Sequence, residues 1–311
     1  MSPRRGSSAA RRLLFLVNPR ARSYSRSTVE VIRRALATDF EVELRHTAGR
    51  GHGAEVGHEA IDAGFEIVVV FSGDGTINEV VNGLSGSEVA LGIIPGGATN
   101  VYARILGIPN DPIEATGQLI ELAIAGRARR IPVGSANDRI FVMNCGIGLD
   151  AAVMRKVERR APRSKVGHER EAFFAAMTEA NRYIGRQSRD LTLRIDEHLQ
   201  LTAVSVMIAK AHPYAFFKSW GLKVHPRAEL MKGLDVLAIQ ELPRIAGPKI
   251  TYELFVGGNL ERSRYVQYEH DVERIEIASP RAFPVQLDGE YVGEFEALDV
   301  QLVRDALWVV A

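Results

Sequence analysis

Two patterns of apolar and polar residues divide this 311-residue chain near residue 131. Before that point, short apolar runs such as residues 13–17 and 67–71 alternate with segments of helical period. Continuous apolar runs are typical of parallel strands covered on both faces, and their alternation with helices indicates βαβ crossovers. After that point, β-branched residues recur with period two, which favours antiparallel strands. The pattern predicts an α/β protein with a doubly wound parallel-sheet domain and then an antiparallel β-sandwich-like domain.

Capping signals predict the starts of several helices. Three such starts are Ser27 with Glu30, Thr76 with Glu79, and Asp111 before Pro112. The first two fit capping boxes, and the third combines an N-cap with a proline at the first helical position. One further helix, at about residues 171–185, is expected to interrupt the strands of the second half.

Composition limits the cellular setting and the partners. The formal net charge of +1 predicts no bulk affinity for nucleic acid. Cys145 is the only cysteine, which excludes a disulfide framework and a cysteine-ligated zinc and fits a reducing cytoplasm. Residues 1–11 are expected to form a disordered basic tail, because the apolar run that follows is too short for a signal segment or a membrane span.

A glycine-spaced turn with one carboxylate follows the apolar run at residues 67–71. Gly73 and Gly75 allow backbone N–H groups to approach an anion, and the following helix would direct its positive end at the turn. Asp74 would repel phosphates unless a cation lay between them, which points to a Mg²⁺-bound nucleotide. The alternative is an ordinary strand-to-helix turn in which Asp74 caps a backbone group.

A second glycine-rich turn, PGGATN at residues 95–100, also lies between a buried strand and a predicted helix. Turns at the carboxyl ends of neighbouring parallel strands converge on one crevice, so both turns could bind one polyphosphate. Thr99 and Asn100 offer a hydroxyl and an amide to phosphate or ribose. They are equally suited to be N-caps.

These two turns and their spacing carry a family resemblance. The relevant segments are SGDGTINEVVNGL at 72–84, PGGATNVYAR at 95–104, NCGIGLDA at 144–151 and the Asp-Gly-Glu triplet at 288–290. Together with Asn18-Pro19, and with Thr47 before a glycine-rich turn, they resemble the diacylglycerol kinase catalytic-domain family, which includes sphingosine, ceramide and bacterial lipid kinases. The resemblance covers nearly the whole chain.

The resemblance implies a domain organisation and an activity. Residues 12–131 would form the ATP-binding domain, to which a final strand at 305–311 can return, and residues 132–304 would form the lipid-substrate domain across a cleft. The enzyme would transfer the γ-phosphoryl group of ATP to a lipid hydroxyl, most simply converting diacylglycerol to phosphatidic acid, with Mg²⁺.

Site residues follow from the same resemblance. Glu290 is the expected base for the acceptor hydroxyl, and Asp74 is expected to act in catalysis and to hold Mg²⁺. The residues expected to bind the cofactor ATP are Asn18, Thr47, Ser72, Gly73, Asp74, Gly75, Thr76, Ile77, Asn78, Gly97, Thr99, Asn100 and Asp288.

Two residues of this chain depart from the family pattern and limit which family properties can be expected of it. Lys232 stands where bacterial members commonly have a carboxylate that helps to hold a structural Mg²⁺. An ammonium cannot ligate a cation, so that second metal site is expected to be absent or replaced by the lysine. Pro132 stands where an acidic residue is frequent.

A basic segment suggests how such an enzyme would reach its lipid. Residues 155–170 contain seven cations and two acids. We expect this loop to dock on an anionic membrane surface, since each basic side chain near such a surface contributes about 1 kcal/mol. The alternative is a solvated loop without a partner. The expected location is therefore the cytoplasm, with transient membrane association, and a homodimer is among the arrangements left open.

Other functions stay open at this stage. An NAD kinase shares a similar Gly-Asp-Gly loop, and a sphingoid lipid is another acceptor class. A non-catalytic lipid-binding or regulatory protein is suggested by Lys232 and Pro132, whereas Asp74 and Glu290 weigh against it.

Overall fold

The computed structural model describes residues 11–160, 178–179, 190–214, 216–217, 220–221, 224–245, 247–256 and 260–311. The chain divides into two compact units, one of residues up to Ile131 together with Asp305–Ala311 and the other of Pro132–Arg304. Residues 1–10 of the predicted basic tail lie outside the described residues, as does most of the predicted helix at 171–185. Arg11 donates a hydrogen bond to the carbonyl of Ala123, so it belongs to the folded part of the chain.

Strands and helices alternate along the first unit. Its elements are β1 (Arg12–Val17), α1 (Arg26–Leu36), β2 (Glu41–His46), α2 (His52–Asp62), β3 (Ile67–Ser72), α3 (Asp74–Leu84), β4 (Ala90–Pro95), α4 (Val101–Ile105) and α5 (Pro112–Ile124). The strands are parallel in the order β2-β1-β3-β4. Every residue of β3 and β4 is buried, as the continuous apolar runs predicted.

Helices cover both faces of this sheet. α2 packs against α3, and α1 packs against α5. Right-handed crossovers put these two pairs on opposite faces, which makes the unit doubly wound. One core cluster joins α1, through Ile32 and Leu36, to the sheet residues Phe15, Val69 and Ile94.

Two of the three predicted helix starts are wrong. α1 is capped by Ser25, whose hydroxyl accepts the N–H of Thr28, rather than by Ser27. α3 begins at Asp74 after the N-cap Gly73, with no side-chain cap. The third start is confirmed, since the Asp111 carboxylate accepts the N–H groups of residues 113 and 114.

Antiparallel strands dominate the second unit. After β5 (Ala128–Ala136), which runs across the boundary, the elements are β6 (Arg139–Phe141), β7 (Asn144–Ile147), α6 (Leu149–Arg160), β8 (Leu191–Ile195), β9 (Leu199–Ala203), β10 (Ser205–Ala209), β11 (Phe216–Phe217), β12 (Trp220–Gly221), β13 (Leu234–Ile239), α7 (Gly247–Val256), a 3₁₀ turn (Leu260–Arg262), β14 (Val266–Val272), β15 (Arg274–Leu287) and β16 (Glu290–Val310).

The long strand β15 pairs with three other strands of the second unit. Its first part pairs with β8, its last part pairs with β7, and the register of its pairing with β16 shifts between Ala278 and Phe283. Side chains of β8 and β7, such as Leu193 and Ile147, share one core cluster. This arrangement and the parallel sheet of the first unit confirm the predicted fold class. The last residues of β16 belong to the first unit, where Trp308 and Val309 pair in parallel with β4.

Candidate active site

The order of the parallel strands reverses between β1 and β3. In open α/β sheets, ligands bind outside the carboxyl ends of the strands at such a reversal. Asn18 follows β1, and its backbone N–H donates to the carbonyl of Phe71 at 3.2 Å. Its side-chain amide donates to the hydroxyl of Thr76 at 3.0 Å. The structure therefore brings together two of the predicted ATP residues at the position where this fold binds ligands.

The two glycine-rich turns meet through their backbones. A Cβ atom added to Gly97 would lie 2.7 Å from the Cα of Gly73, and one added to Gly73 would lie 3.1 Å from the Cα of Gly97. A Cβ on Gly75 would meet no atom within 4 Å, and this residue is exposed. The expectation that both turns share one crevice thus agrees with the geometry, and glycine is required where the turns touch.

Asp74 holds the second turn in place. One carboxylate oxygen accepts the N–H of Val101 at 3.0 Å and the hydroxyl of Thr99 at 3.3 Å. The other oxygen accepts the N–H of Tyr102 at 3.0 Å. These donors lie at the beginning of α4, so the carboxylate caps that helix as well as lying in the candidate site. The capping role that the sequence left open for Asp74 is therefore present.

The charge of Asp74 reflects two opposing effects. Burial raises the pKa of the carboxyl group, whereas the hydrogen bonds from Tyr102, Val101 and Thr99 lower it. The N–H donors that are present favour the ionised form of the carboxyl group, and a cation bound beside it would favour that form further.

Glu79, which lies on helix α3, binds a third turn. Its carboxylate accepts the N–H groups of Gly51 and Gly53 at 2.8 and 3.0 Å. Thr47 precedes this turn, and its backbone N–H donates to the carbonyl of Val17 at 2.9 Å. Glu79 therefore does not complete a capping box with Thr76, because it binds the turn after β2. Sequence reasoning missed this long-range role, since the Thr-x-x-Glu spacing has a local interpretation.

The remaining predicted nucleotide residues differ in exposure. Ser72, Ile77 and Asn78 are buried. Asn100 is also buried, in the left-handed conformation with φ of 46°, and its side chain binds Gly97 and Asn110. Asn100 thus shapes the turn from within.

In the second unit, Asp288 and Gly289 form the tip of the β15–β16 hairpin, with φ values of 49° and 84°. The carboxylate of Asp288 accepts three backbone N–H groups, those of residues 142, 143 and 144, at 2.8–2.9 Å. In the described conformation, Asp288 therefore anchors the hairpin to the segment before β7.

Glu290 is the first residue of β16 and pairs with Arg139 of β6 at 2.5 Å. Their side chains are 29% and 39% exposed, so the carboxylate is accessible while one cation orients it. The contact of Arg139 with this predicted site residue was not revealed by the sequence, because 151 positions separate the partners.

A buried polar network supports this hairpin. Gln286 accepts the N–H of Gly289 at 2.8 Å and donates to Asn144, Asp150 and the Tyr214 hydroxyl at 2.8, 2.7 and 3.1 Å. Tyr214 donates to Asp150 at 2.7 Å. Burial raises the pKa of Asp150, and the hydrogen bonds from Tyr214 and Gln286 oppose that shift.

This network explains the glycine-rich segment at 144–151. A Cβ on Gly146 would lie 1.8 Å from the Asp150 carboxylate, so only glycine leaves room for the network. Asn144 and Asp150 were part of the family motif, but their partners Gln286 and Tyr214 could not be identified from local sequence.

Among the described residues, no group of three or more His, Cys, Asp or Glu side chains could hold a metal ion. Mg²⁺ is typically held by one or two carboxylates together with nucleotide phosphates and water. Asp74 supplies one carboxylate beside the turns, and this donor set fits a Mg²⁺ that arrives with a nucleotide.

The predicted membrane loop begins as helix. Arg155 and Lys156 belong to α6, where they pair with Glu294 at 2.5 Å and Glu179 at 3.0 Å. The prediction of a loop is therefore wrong for residues 155–160, and residues 161–170 lie outside the described residues. No helix in the described ranges is long and apolar enough to cross a membrane.

Comparisons with known proteins agree with these features. Residues 12–136 match the family model of the diacylglycerol kinase catalytic domain. The diacylglycerol kinase of Bacillus subtilis strain 168 is 34% identical over 127 residues, which cover 40% of this chain and 41% of that protein. The diacylglycerol kinase of Staphylococcus aureus strain bovine RF122 / ET3-1 is 26% identical over 299 residues, covering 94% and 90%. A crystal structure of a diacylglycerol kinase from Bacillus anthracis strain Sterne shares the fold, with a TM-score of 0.71, 22% identity and 98% coverage of both chains.

Proposed function

We propose that this chain is a lipid kinase of the diacylglycerol kinase catalytic-domain family, whose model matches residues 12–136, and that it transfers the γ-phosphoryl group of MgATP to the hydroxyl of diacylglycerol. The product would be phosphatidic acid. The observation that carries the proposal is the contact between Gly73 and Gly97, which joins the glycine-rich turns that follow β3 and β4, next to the strand-order reversal. Relatives from B. subtilis and S. aureus named diacylglycerol kinase support the choice of acceptor.

Nucleotide binding would use the carboxyl ends of β1 to β4. The turn at Gly73–Gly75 would offer backbone N–H groups to the phosphates, Gly97 would let the second turn lie against it, and the N-terminus of α3 would favour the negative charge of the phosphates. Asn18, Thr47, Thr76 and Thr99 would border the nucleotide. A bound Mg²⁺ would neutralise phosphate charge during transfer, and Asp74 is the residue that would hold it.

Deprotonation of the acceptor would fall to Glu290. A general base must come within hydrogen-bond reach of the proton that it removes, and an accessible carboxylate held in a defined orientation can do this. Glu290 is partly exposed, pairs with Arg139, and stands on a hairpin that Asp288 and Gln286 fix by hydrogen bonds. These contacts support its assignment as the base.

The direct test offers several acceptors to the pure protein. With γ-labelled ATP and Mg²⁺, label should enter phosphatidic acid when diacylglycerol is supplied in mixed micelles. Sphingosine and NAD in separate reactions test the other acceptor classes. If the label instead entered a sphingoid base or NADP, that acceptor and not diacylglycerol would be the substrate. The absence of any labelled product would contradict the proposal.

A pair of variants on one strand tests the base. Glu290→Gln should lower kcat by roughly 10²–10⁴-fold while the KM for MgATP changes by less than about 3-fold. Glu294→Gln removes another ion-paired carboxylate four residues along β16 and should keep kcat near the wild-type value. Equal activities in the two variants would remove Glu290 from the mechanism.

We further propose that the cations at 155–170 bring the enzyme to anionic lipid. Replacing Arg159, Arg160 and Arg163 with Gln should weaken co-sedimentation with anionic vesicles, whereas replacing the helix α1 residues Arg33 and Arg34 should not. Unchanged vesicle binding in the triple variant would contradict this part of the proposal.

A further inference from the structure

A lysine side chain lies entirely inside the second unit. Lys210 directly follows β10, is 0% exposed, and donates its backbone N–H to the carbonyl of Met143 at 2.8 Å. Its ammonium donates to the carbonyl oxygens of Leu230 and Lys232 at 2.7 and 2.9 Å. A buried ammonium is stable only where it is hydrogen-bonded and its charge is balanced.

The turn that receives this ammonium is itself closely packed. Gly233 donates its N–H to the carboxylate of Asp271 at 2.6 Å. A Cβ on Gly233 would lie 2.7 Å from the backbone of Asp271. The Lys232 backbone N–H returns to the carbonyl of Glu229 at 3.1 Å. The segment 229–233 is thus a compact turn whose inner carbonyls point at one cation.

Nearby carboxylates balance the charge. Burial lowers the pKa of Lys210 to about 8, while the charges of Asp235 and Asp271 act in the opposite direction and Arg304 adds to the lowering. The side chain therefore stays mostly protonated at neutral pH. Asp235 is itself buried and accepts hydrogen bonds from Tyr268 and His270.

The structural Mg²⁺ that the family resemblance implies for this segment does not fit these residues. Carbonyl and carboxylate oxygens are the ligands that Mg²⁺ prefers, but here two inner carbonyls already bind an ammonium. A divalent cation beside it would be repelled at short range in a medium of low dielectric constant. The expectation about Lys232 needs correction as well. Its own ammonium pairs with Glu229 at 2.8 Å on the surface, and only its carbonyl faces inward.

We propose that the ammonium of Lys210 serves as the structural cation of the 229–233 turn, so that this unit binds no divalent metal there. The inference concerns the substrate-domain segment alone and does not depend on the proposed kinase mechanism. Mg²⁺ would then be needed only together with the nucleotide.

The first experiment uses the full chain without nucleotide. Trp220 and Trp308 are the two tryptophans, and Trp308→Phe leaves Trp220 as the fluorescent reporter of the unit that contains Lys210. In this background the melting temperature should be the same in EDTA, in Mg²⁺ and in NaCl of matched ionic strength. A lower melting temperature in EDTA that Mg²⁺ restores would overturn the proposal. This test requires no substitution of Lys210.

Two substitutions then separate the charge from the volume of the side chain. Lys210→Ala should lower the melting temperature by roughly 5–10 °C, because two buried carbonyls lose their donor. Ethylammonium chloride should restore part of that loss, since it brings the missing ammonium into the space left by the side chain. Lys210→Met fills that space with apolar atoms and should show no such recovery.

The comparison of the two variants decides the role of the charge. Recovery by ethylammonium in Lys210→Ala alone supports an internal cation. Equal responses in both variants, or a Lys210→Met variant as stable as the parent, would show that the ammonium is dispensable and would overturn the inference.

Discussion

Gly97 and Gly73 lie so close that a methyl group on Gly97 would stand 2.7 Å from the Cα of its partner. The same methyl group would stand 2.8 Å from the side-chain oxygen of Asn100. The two turns expected to bind phosphate therefore contact each other without any side chain between them.

Gly97→Ala should separate these turns. We expect the KM for MgATP to rise by roughly 10-fold or more and the free energy of unfolding to fall by about 1–3 kcal/mol. Gly117→Ala is the matched control, because a Cβ there meets no atom within 4 Å and the residue lies inside α5. The control should bind MgATP normally and be equally stable or up to about 1 kcal/mol more stable. Nucleotide kinetics and urea unfolding of both variants check the prediction.

Asp74 combines a helix cap with a proposed role in catalysis, and a second capping aspartate allows the two to be separated. Asp74→Ala and Asp111→Ala each remove N–H acceptors at the start of a helix, so each should cost roughly 0.5–2 kcal/mol of stability. Only Asp74→Ala should also lose kcat, by about 100-fold or more. Comparable kcat values in the two variants would leave Asp74 with a capping role alone.

Gln286 connects the buried network to the hairpin that carries Glu290. Gln286→Met keeps the volume but removes four hydrogen-bonding partners, so we expect a loss of about 2–4 kcal/mol in stability. Because the hairpin would lose its anchor at Gly289, kcat should fall while the KM for MgATP stays constant. Gln301→Met, at an exposed position of β16, should change neither the stability nor kcat. A variant that loses stability but retains kcat would mean that the network does not position Glu290.

His225 should make the second unit sensitive to acid. Burial lowers its pKa to about 4, and its ring stacks on Tyr214 with centroids 5.4 Å apart. Between pH 6.5 and 4 the unfolded chain therefore binds a proton that the folded chain does not, and stability decreases as pH falls through this range. The loss between pH 7 and pH 5 should be about 2 kcal/mol for this residue.

Urea unfolding at the two pH values measures this contribution. His225→Gln should reduce the difference in unfolding free energy between pH 7 and pH 5, because no imidazole then takes up the proton. His58→Gln, at an exposed position of α2, should leave that difference unchanged. An equal pH dependence in wild type and His225→Gln would contradict the assignment.

Short-range sequence patterns predicted the fold better than they predicted the contacts of the site. The apolar runs at β3 and β4 and the cap at Asp111 depend on adjacent residues, and the structure agrees with both. Thr76 and Glu79 have a local capping-box spacing, yet they bind Asn18 and the turn after β2. Such pairings arise only when distant strands meet, so local spacing could not reveal them.

The same limit applies to the second unit. An Asp-Gly pair such as Asp288-Gly289 is typical of a tight hairpin turn, and the structure forms a hairpin there. Arg139, Gln286 and Lys210 have no distinguishing local motif, because each derives its role from partners 3 to 151 positions away. Lys232 departs from the family pattern and was therefore identified from the sequence. Lys210, the buried lysine that contacts the carbonyl of Lys232, was not identified in this way.

The path of β16 has a consequence for synthesis on the ribosome. Trp308 and Val309 complete the parallel sheet beside β4, but residues 132–304 are made between the two. The edge of β4 therefore stays unpaired while the whole second unit is translated. A nascent chain would expose that apolar edge until its last strand emerged, which makes this stage the one at which a chaperone would be most useful.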